Sequence, residues 1–321
     1  MGFPLSLGSS MGRRRMSLQK REAVAGILFA LPAMLGFFFW AAGPMVAAAL
    51  ISLTDWGLLS APHFLGLGNY IGDVSNTQPY PGVVHDSLFW QSLRVTTYYT
   101  LTAVPGGLLA SFLVALLLSR PMRGVGIFRA IYYLPAILPV VATSIIWLWL
   151  FNPDAGLLNV ILNAFGLPQS SWVSSESTAI PSLVIVSIWA SGGSMLIYIA
   201  AIKGVPRHLY EAAEIDGANV LVRLWYITIP TISPVILFTF LTGFIASFSA
   251  GFTQSLILTQ GGPNNATLFY ALYVYRQAFQ DQHMGYASAL SWTLFVLLLA
   301  FTLMALRLSR PFVPYEAGGT Q

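Results

Sequence analysis

The chain has 321 residues, 56% of them hydrophobic and only 8% charged, with a formal net charge of +4. A soluble domain carries about 25% charged residues, so this composition excludes an ordinary soluble protein and describes one embedded in a bilayer. Cysteine is absent, which removes disulfide and thiolate chemistry. The basic residues sit in short clusters beside apolar stretches, a pattern that sets membrane topology and gives no ground for nucleic acid as a partner.

In chain order, a tail over 1–23 holds Arg13, Arg14, Arg15, Lys20 and Arg21. Six apolar stretches then reach the roughly 20 residues a helix needs to cross a bilayer core. They fall near 24–52, 88–118, 127–150, 180–202, 228–250 and 288–306. The first exceeds the roughly 7–15 residues of a signal-peptide core and has no evident small-residue cleavage site after it, so it is expected to stay as a helix. Residues 53–87 form the loop that follows it, and 88–306 a core of five spans. A tail over 307–321 closes the chain. The tips 1–12 and 315–321, containing Gly and Ser, are expected to be disordered. This is an all-α, polytopic membrane protein.

Topology follows from the cations. With the N-terminus in the cytoplasm, 13 of the 15 Lys and Arg lie on the inner side, Arg94 and Arg276 being the exceptions. The positive-inside rule therefore places both termini in the cytoplasm. No Asp or Glu lies in any of the six stretches. Ion-coupled carriers place ionisable groups at depth, and here only Arg94 is a deep candidate, near enough to the outer end of its span to snorkel. Neither Lys20 nor Lys203 is followed by the Ser or Thr of a phosphate-binding loop. A transporter with neither resource needs an energised partner.

The second span has Gly106, Gly107, Ala110 and Ser111, small residues suited to close helix packing. In the fourth, Trp189-Ala190-Ser191-Gly192-Gly193-Ser194 sets glycines and hydroxyls near mid-membrane. Such a segment exposes backbone to a cavity or packs tightly on a neighbour. In the fifth, Phe240, Phe244, Phe248 and Phe252 recur beside Gly243, Ser247 and Gly251. The phenylalanines could stack on sugar faces or pack on helices and lipid. His63, His85, His208 and His283 are scattered, with no metal-ligand spacing, and no catalytic constellation of Ser, His or paired carboxylates can be drawn.

Between the fourth and fifth spans lies the most informative segment, Lys203 to Ile227. It holds three of the eleven carboxylates, Glu211, Glu214 and Asp216. Pro206 suits the first turn of a helix. Leu209, Ala212 and Ala213 give that helix a narrow apolar face. Asp216-Gly217 ends it, with Gly free to turn left-handed, and Asn219 can cap a second short helix before Pro230 starts the fifth span. By pattern alone the segment is a docking hairpin or an amphipathic loop lying on the membrane surface. Arg207 and Arg223 are expected to anchor to phospholipid.

Glu211-Ala212-Ala213, Gly217 and the closing Ile229-Pro230 resemble the EAA signature of binding-protein-dependent ABC importer permeases, with Ile in place of the family's Leu before the proline. Three further stretches resemble the sugar branch of that family, the maltose, multiple-sugar and glycerol-3-phosphate permeases. They are Phe64-Leu65-Gly66-Leu67-Gly68-Asn69-Tyr70; Phe151-Asn152-Pro153 with Gly156 and Asn159; and Leu258 to Thr267. The likeness covers roughly residues 20–310.

The resemblance implies the type I importer (MetI-like) fold and a chain without catalytic residues or bound metal. It implies a second homologous permease, two ATP-binding cassette subunits that hold ATP and Mg, an external solute-binding protein, membrane lipid and a sugar substrate. Glu211, Ala212, Ala213, Asp216, Gly217, Ile229 and Pro230 would couple to the ATPase. Trp189, Gly193, Ser194, Phe244, Ser247 and Phe248 would face the substrate pathway. The alternatives are an ion-coupled carrier of a neutral solute, which the carboxylate-free spans disfavour, and a membrane-embedded enzyme, for which no polar cluster at one depth is found.

Overall fold

The computed structural model describes residues 18–72 and 80–309. The tips 1–12 and 315–321, with Arg13, Arg14, Arg15 and Arg310, lie outside the described residues. Two units divide between Leu50 and Ile51. The first is a single helical run, α1 (Leu18–Phe37), a π turn (Phe38–Ala42) and α2 (Gly43–Ile51). The π turn falls just before Pro44, whose missing N–H interrupts the regular ladder.

The regular structure among the second unit's described residues is helical, apart from two isolated β-bridges. A short α3 (Gly68–Ile71) precedes α4 (Ser87–Leu118). Two shorter helices follow, α5 (Val125–Ile137) and α6 (Val140–Leu150), then α7 (Leu157–Ala164). A second pair is α8 (Glu176–Trp189) and α9 (Gly192–Gly204). Next come α10 (Arg207–Ile215), α11 (Val220–Arg223), α12 (Ile229–Leu258), α13 (Tyr270–Tyr275) and α14 (Met284–Ser309). Among the described residues, four helices are long and apolar enough to span a membrane, and up to six if each bent pair counts once.

Two expected spans are not single straight helices. The stretch 127–150 breaks at Leu138-Pro139, and α5 and α6 meet at 96°. Pro139 forces its predecessor out of the helical region, and Leu138 is extended at φ −73°, ψ 142°. The stretch 180–202 begins earlier, at Glu176, and bends by 46° between α8 and α9. At that bend Gly192 comes so close to α5 that a Cβ would lie 2.3 Å from the Tyr132 carbonyl oxygen.

The fifth span also differs from expectation. It starts at Val220 and runs 39 residues to Leu258, through a second π turn (Leu224–Thr228) just before Pro230. The second arm of the hairpin is therefore the start of this helix.

Apolar packing centres on Tyr99, Phe151, Leu183, Phe269, Tyr270 and Tyr286, all at most 2% exposed. The small residues of α4 pack within the subunit. Cβ atoms on Gly106 and Gly107 would meet Ile188 and Ser191 at 2.9 and 3.2 Å, and Ser111 donates to the Ser191 carbonyl at 2.8 Å.

Candidate functional site: a hairpin and a hydroxyl-lined cleft

The hairpin is closed by its own backbone. Gly217 takes φ +77°, and the Ala218 and Gly217 amides donate to the carbonyls of Ala213 and Glu214 at 2.9 and 3.1 Å. This is the double bond of a Schellman cap, which favours glycine at that position. Asn219 accepts from the Val222 amide at 2.9 Å, capping α11. Pro206 sits just outside the first turn as the cap residue of α10, at φ −59°, ψ 129°. Two side-chain links join the arms, Tyr210 to Thr228 at 2.9 Å and Arg223 to Glu214. Arg223, expected at lipid headgroups, is thus held inside the hairpin.

Most of the remaining hairpin residues are exposed. Glu211, Ala212, Asp216 and Gly217 are exposed and Ala213 half-buried. Ile215 (87% exposed), Leu221, Trp225 and Tyr226 present apolar surface beside the carboxylates. At the base Ile229 is half-buried and Pro230 exposed. A polar hairpin with exposed large apolar side chains has the composition of a protein-docking surface.

A cleft of about 490 Å³ lies between α4, α8–α9 and α12. Its polar lining comes from Tyr99, Ser187, Ser191, Ser194, Thr239, Thr242, Ser247 and Gln254, with no charged residue. Hydrogen bonds fix several of these groups: Ser247 to Thr100 at 2.7 Å, Thr239 to Tyr198 at 2.8 Å, and Tyr99 to the Gln254 side-chain oxygen at 3.3 Å. Neutral hydroxyls and an amide can exchange hydrogen bonds with a neutral polyol and offer no counter-charge to an ion.

Of the side chains expected to face a pathway, Ser194 and Ser247 line this cleft. Gly193 has open space where its Cβ would be. Three others lie outside the cleft. Phe244 and Phe248 are 5% and 4% exposed, and Phe244 stacks on Phe301 of α14 with ring centroids 3.8 Å apart. Trp189 lies in an apolar groove between α4 and α5 and meets Trp147 edge-on at 5.6 Å. For the two phenylalanines, burial against neighbouring helices outweighs exposure to a polar cleft. Sequence reasoning missed Tyr99, Ser187, Thr239, Thr242 and Gln254, while Ser191 lies in the glycine-interrupted segment it singled out. Their signal was present: Ser187, Ser191 and Ser194 recur at i, i+4 and i+7, the spacing of one helix face.

The other resemblance stretches serve the fold. Asn69, Asn159 and Thr267 are at most 2% exposed. The Asn69 amide nitrogen donates to the Ser52 and Thr54 carbonyls at 2.8 and 2.7 Å. Asn159 ties Pro153, Ser170 and Trp172 together. Thr267 links to Thr259 and Gly262 at 2.6 and 2.7 Å.

A profile of the family described as binding-protein-dependent transport system inner membrane component matches residues 103–311. A probable ABC transporter permease protein, YesP of Bacillus subtilis, is 35% identical over 97% of this chain and 98% of its own. The trehalose/maltose transport system permease protein MalF of Thermococcus litoralis is 30% identical, over 91% and 96%. Among solved structures, a chain of a bacterial alginate ABC transporter, in complex with alginate pentasaccharide-bound periplasmic protein, aligns with a TM-score of 0.76 at 22% identity. That alignment covers 93% of this chain and 99% of the other, a likeness of fold.

Proposed function

The chain belongs to the family of binding-protein-dependent transport system inner membrane components, and from that premise we propose that it is one permease half of an ATP-driven carbohydrate importer. Relatives named for trehalose/maltose, diacetylchitobiose and sn-glycerol-3-phosphate transport support the substrate class. The uncharged hydroxyl lining of the cleft favours a neutral saccharide or polyol over the glycerol phosphate.

One observation carries the mechanism: the exposed hairpin and the cleft wall share a helix. The second arm begins at Val220, and the same run reaches Leu258, passing Thr239, Thr242, Ser247 and Gln254 of the cleft. A partner that seizes the hairpin therefore moves one wall of the cleft. Two ATP-binding cassette subunits supply that movement, one on this hairpin and one on the hairpin of a second, homologous permease. They hold ATP and Mg; this chain takes no part in the hydrolysis. Glu211 and Asp216 meet basic side chains of the ATPase groove, Ala212 and Ala213 let its surface approach closely, and Gly217 permits the turn. Ile229-Pro230 opens the lever at its base. Closing the ATPase dimer then swings the cleft from the cytoplasmic to the external side, where the solute-binding protein delivers its load. Both termini lie in the cytoplasm of a prokaryotic cell.

Uptake by proteoliposomes containing the whole assembly tests this reading. A panel of neutral saccharides, polyols and glycerol phosphates, each with its binding protein, is expected to yield ATP-dependent uptake of a neutral carbohydrate. That uptake should not respond to proton or sodium gradients. Gradient-driven uptake by the permeases alone would instead establish a secondary carrier.

A further inference from the structure

We propose that the hairpin end of this subunit holds an anionic phospholipid, its phosphate in a cage of four cations and one acyl chain in the adjoining apolar groove. The cage is a pocket of about 690 Å³ lined by Arg120, Arg129, Lys203 and Arg207, with Ser119 and Tyr210. No carboxylate lines it, and among the described residues none of the four cations forms an ion pair. Four like charges around one pocket repel each other unless an anion sits among them.

A second, independent observation concerns Arg129. Its guanidinium is anchored by a bond from Nη2 to the Leu118 carbonyl at 2.6 Å. Its Nε is buried and has no hydrogen-bond partner, and a buried donor without an acceptor is costly. Arg129 also lines the cage, so a phosphate held there brings anionic acceptors to this side chain.

The groove distinguishes a lipid from a free anion. About 620 Å³ in volume, it runs between α4 and α5, past Leu113, Leu117, Leu118, Phe128 and Ile131. Its lining and that of the cage hold neighbouring residues, Leu118 next to Ser119 and Phe128 next to Arg129. Several of these side chains are more than half exposed: Leu117 65%, Ile131 62% and Phe128 57%. An apolar trough ending in a cluster of cations matches an acyl chain attached to an anionic headgroup. The inference stands apart from what the transporter carries.

The test uses the complete detergent-purified assembly, titrated with dioctanoyl phosphatidylglycerol, dioctanoyl phosphatidylcholine and glycerol phosphate. Phosphatidylglycerol should bind at least tenfold tighter than the other two. Arg129→Gln should weaken it by about tenfold, the loss of one charge-assisted bond, and Arg129→Lys by less. Leu117→Ser, in the exposed part of the groove, should weaken the lipid and leave glycerol phosphate unchanged. Glycerol phosphate binding as tightly as the lipid would reveal a free-phosphate site and overturn the proposal. So would unchanged lipid affinity in Arg129→Gln and in the double variant Lys203→Gln, Arg207→Gln. Loss of the ATPase subunit from these variants at unaltered lipid affinity would make the cage a protein-docking site, which also overturns it.

Discussion

The two ends of α4, about 48 Å apart over its 32 residues, are built on opposite principles. At its N-terminus polar side chains are buried and mutually bonded. Asp86 caps the helix through Leu88 at 2.8 Å and accepts the hydroxyls of Tyr273 and Tyr286. Tyr80 stacks on Tyr286 at 4.3 Å and donates to Asn69. At the other end the hairpin keeps its carboxylates in water and holds itself together with a glycine cap, an asparagine cap and two side-chain links. One end spends its polar groups on its own fold, and the other leaves Glu211 and Asp216 exposed. A polar residue in a membrane protein therefore reads as functional only once its burial and partners are known.

That contrast breaks most visibly at Asp86. Asp86→Ala removes the helix cap and the acceptor for two buried hydroxyls, and should cost about 3 kcal/mol, seen as a large drop in the thermal midpoint of the purified assembly. Gly192→Ala comes next. Its Cβ would press on the Tyr132 carbonyl at 2.3 Å, and overpacking of that kind costs about 2 kcal/mol. In the hairpin, Gly217→Ala places a side chain at φ +77° and should cost about 1 kcal/mol. Because it acts at the proposed coupling turn, ATP-driven transport should fall further than the thermal midpoint does. Glu211→Ala, at an exposed position, should move stability by less than about 0.5 kcal/mol yet remove stimulated hydrolysis.

The smallest expected effect is a pH response at the buried end. Burial lowers the pKa of His283 from its ordinary 6.5, so the folded state favours the neutral ring and protons bind preferentially to the unfolded chain. Stability is then complete above pH 6.5 and declines as the pH falls below it. The thermal midpoint should drop between pH 7.5 and 5.5, and His283→Gln should flatten that slope. His283 is expected from the sequence to be an ordinary surface residue; its ring in fact lies 5.1 Å from that of Tyr80.

The hairpin is legible in the sequence because its determinants are local: a Pro, an Asp-Gly turn and an Asn cap within 14 residues. The spans are legible for the same reason, since apolar length is a local property. The 96° break at Pro139 was signalled by the proline itself, but its effect on an otherwise apolar run depends on tertiary packing. The cleft was only half legible. Hydroxyls at helical spacing mark a face, but whether that face opens to a cavity depends on which helices stand opposite. The phenylalanine stripe shows the limit: Phe244 has the spacing of a cavity-lining residue, and Phe301, more than fifty positions later, decides that it is core.

The central claim is that the hairpin transmits ATP-driven movement to the cleft. Its most direct test is ATPase activity of the reconstituted assembly with and without loaded binding protein, comparing the native chain, Glu211→Ala and Asp86→Ala. Stimulation should vanish in Glu211→Ala at a native thermal midpoint, whereas Asp86→Ala should lower the midpoint and keep its stimulation at temperatures where it stays folded. Native stimulation in the Glu211→Ala assembly would contradict the assignment of the hairpin as the coupling element.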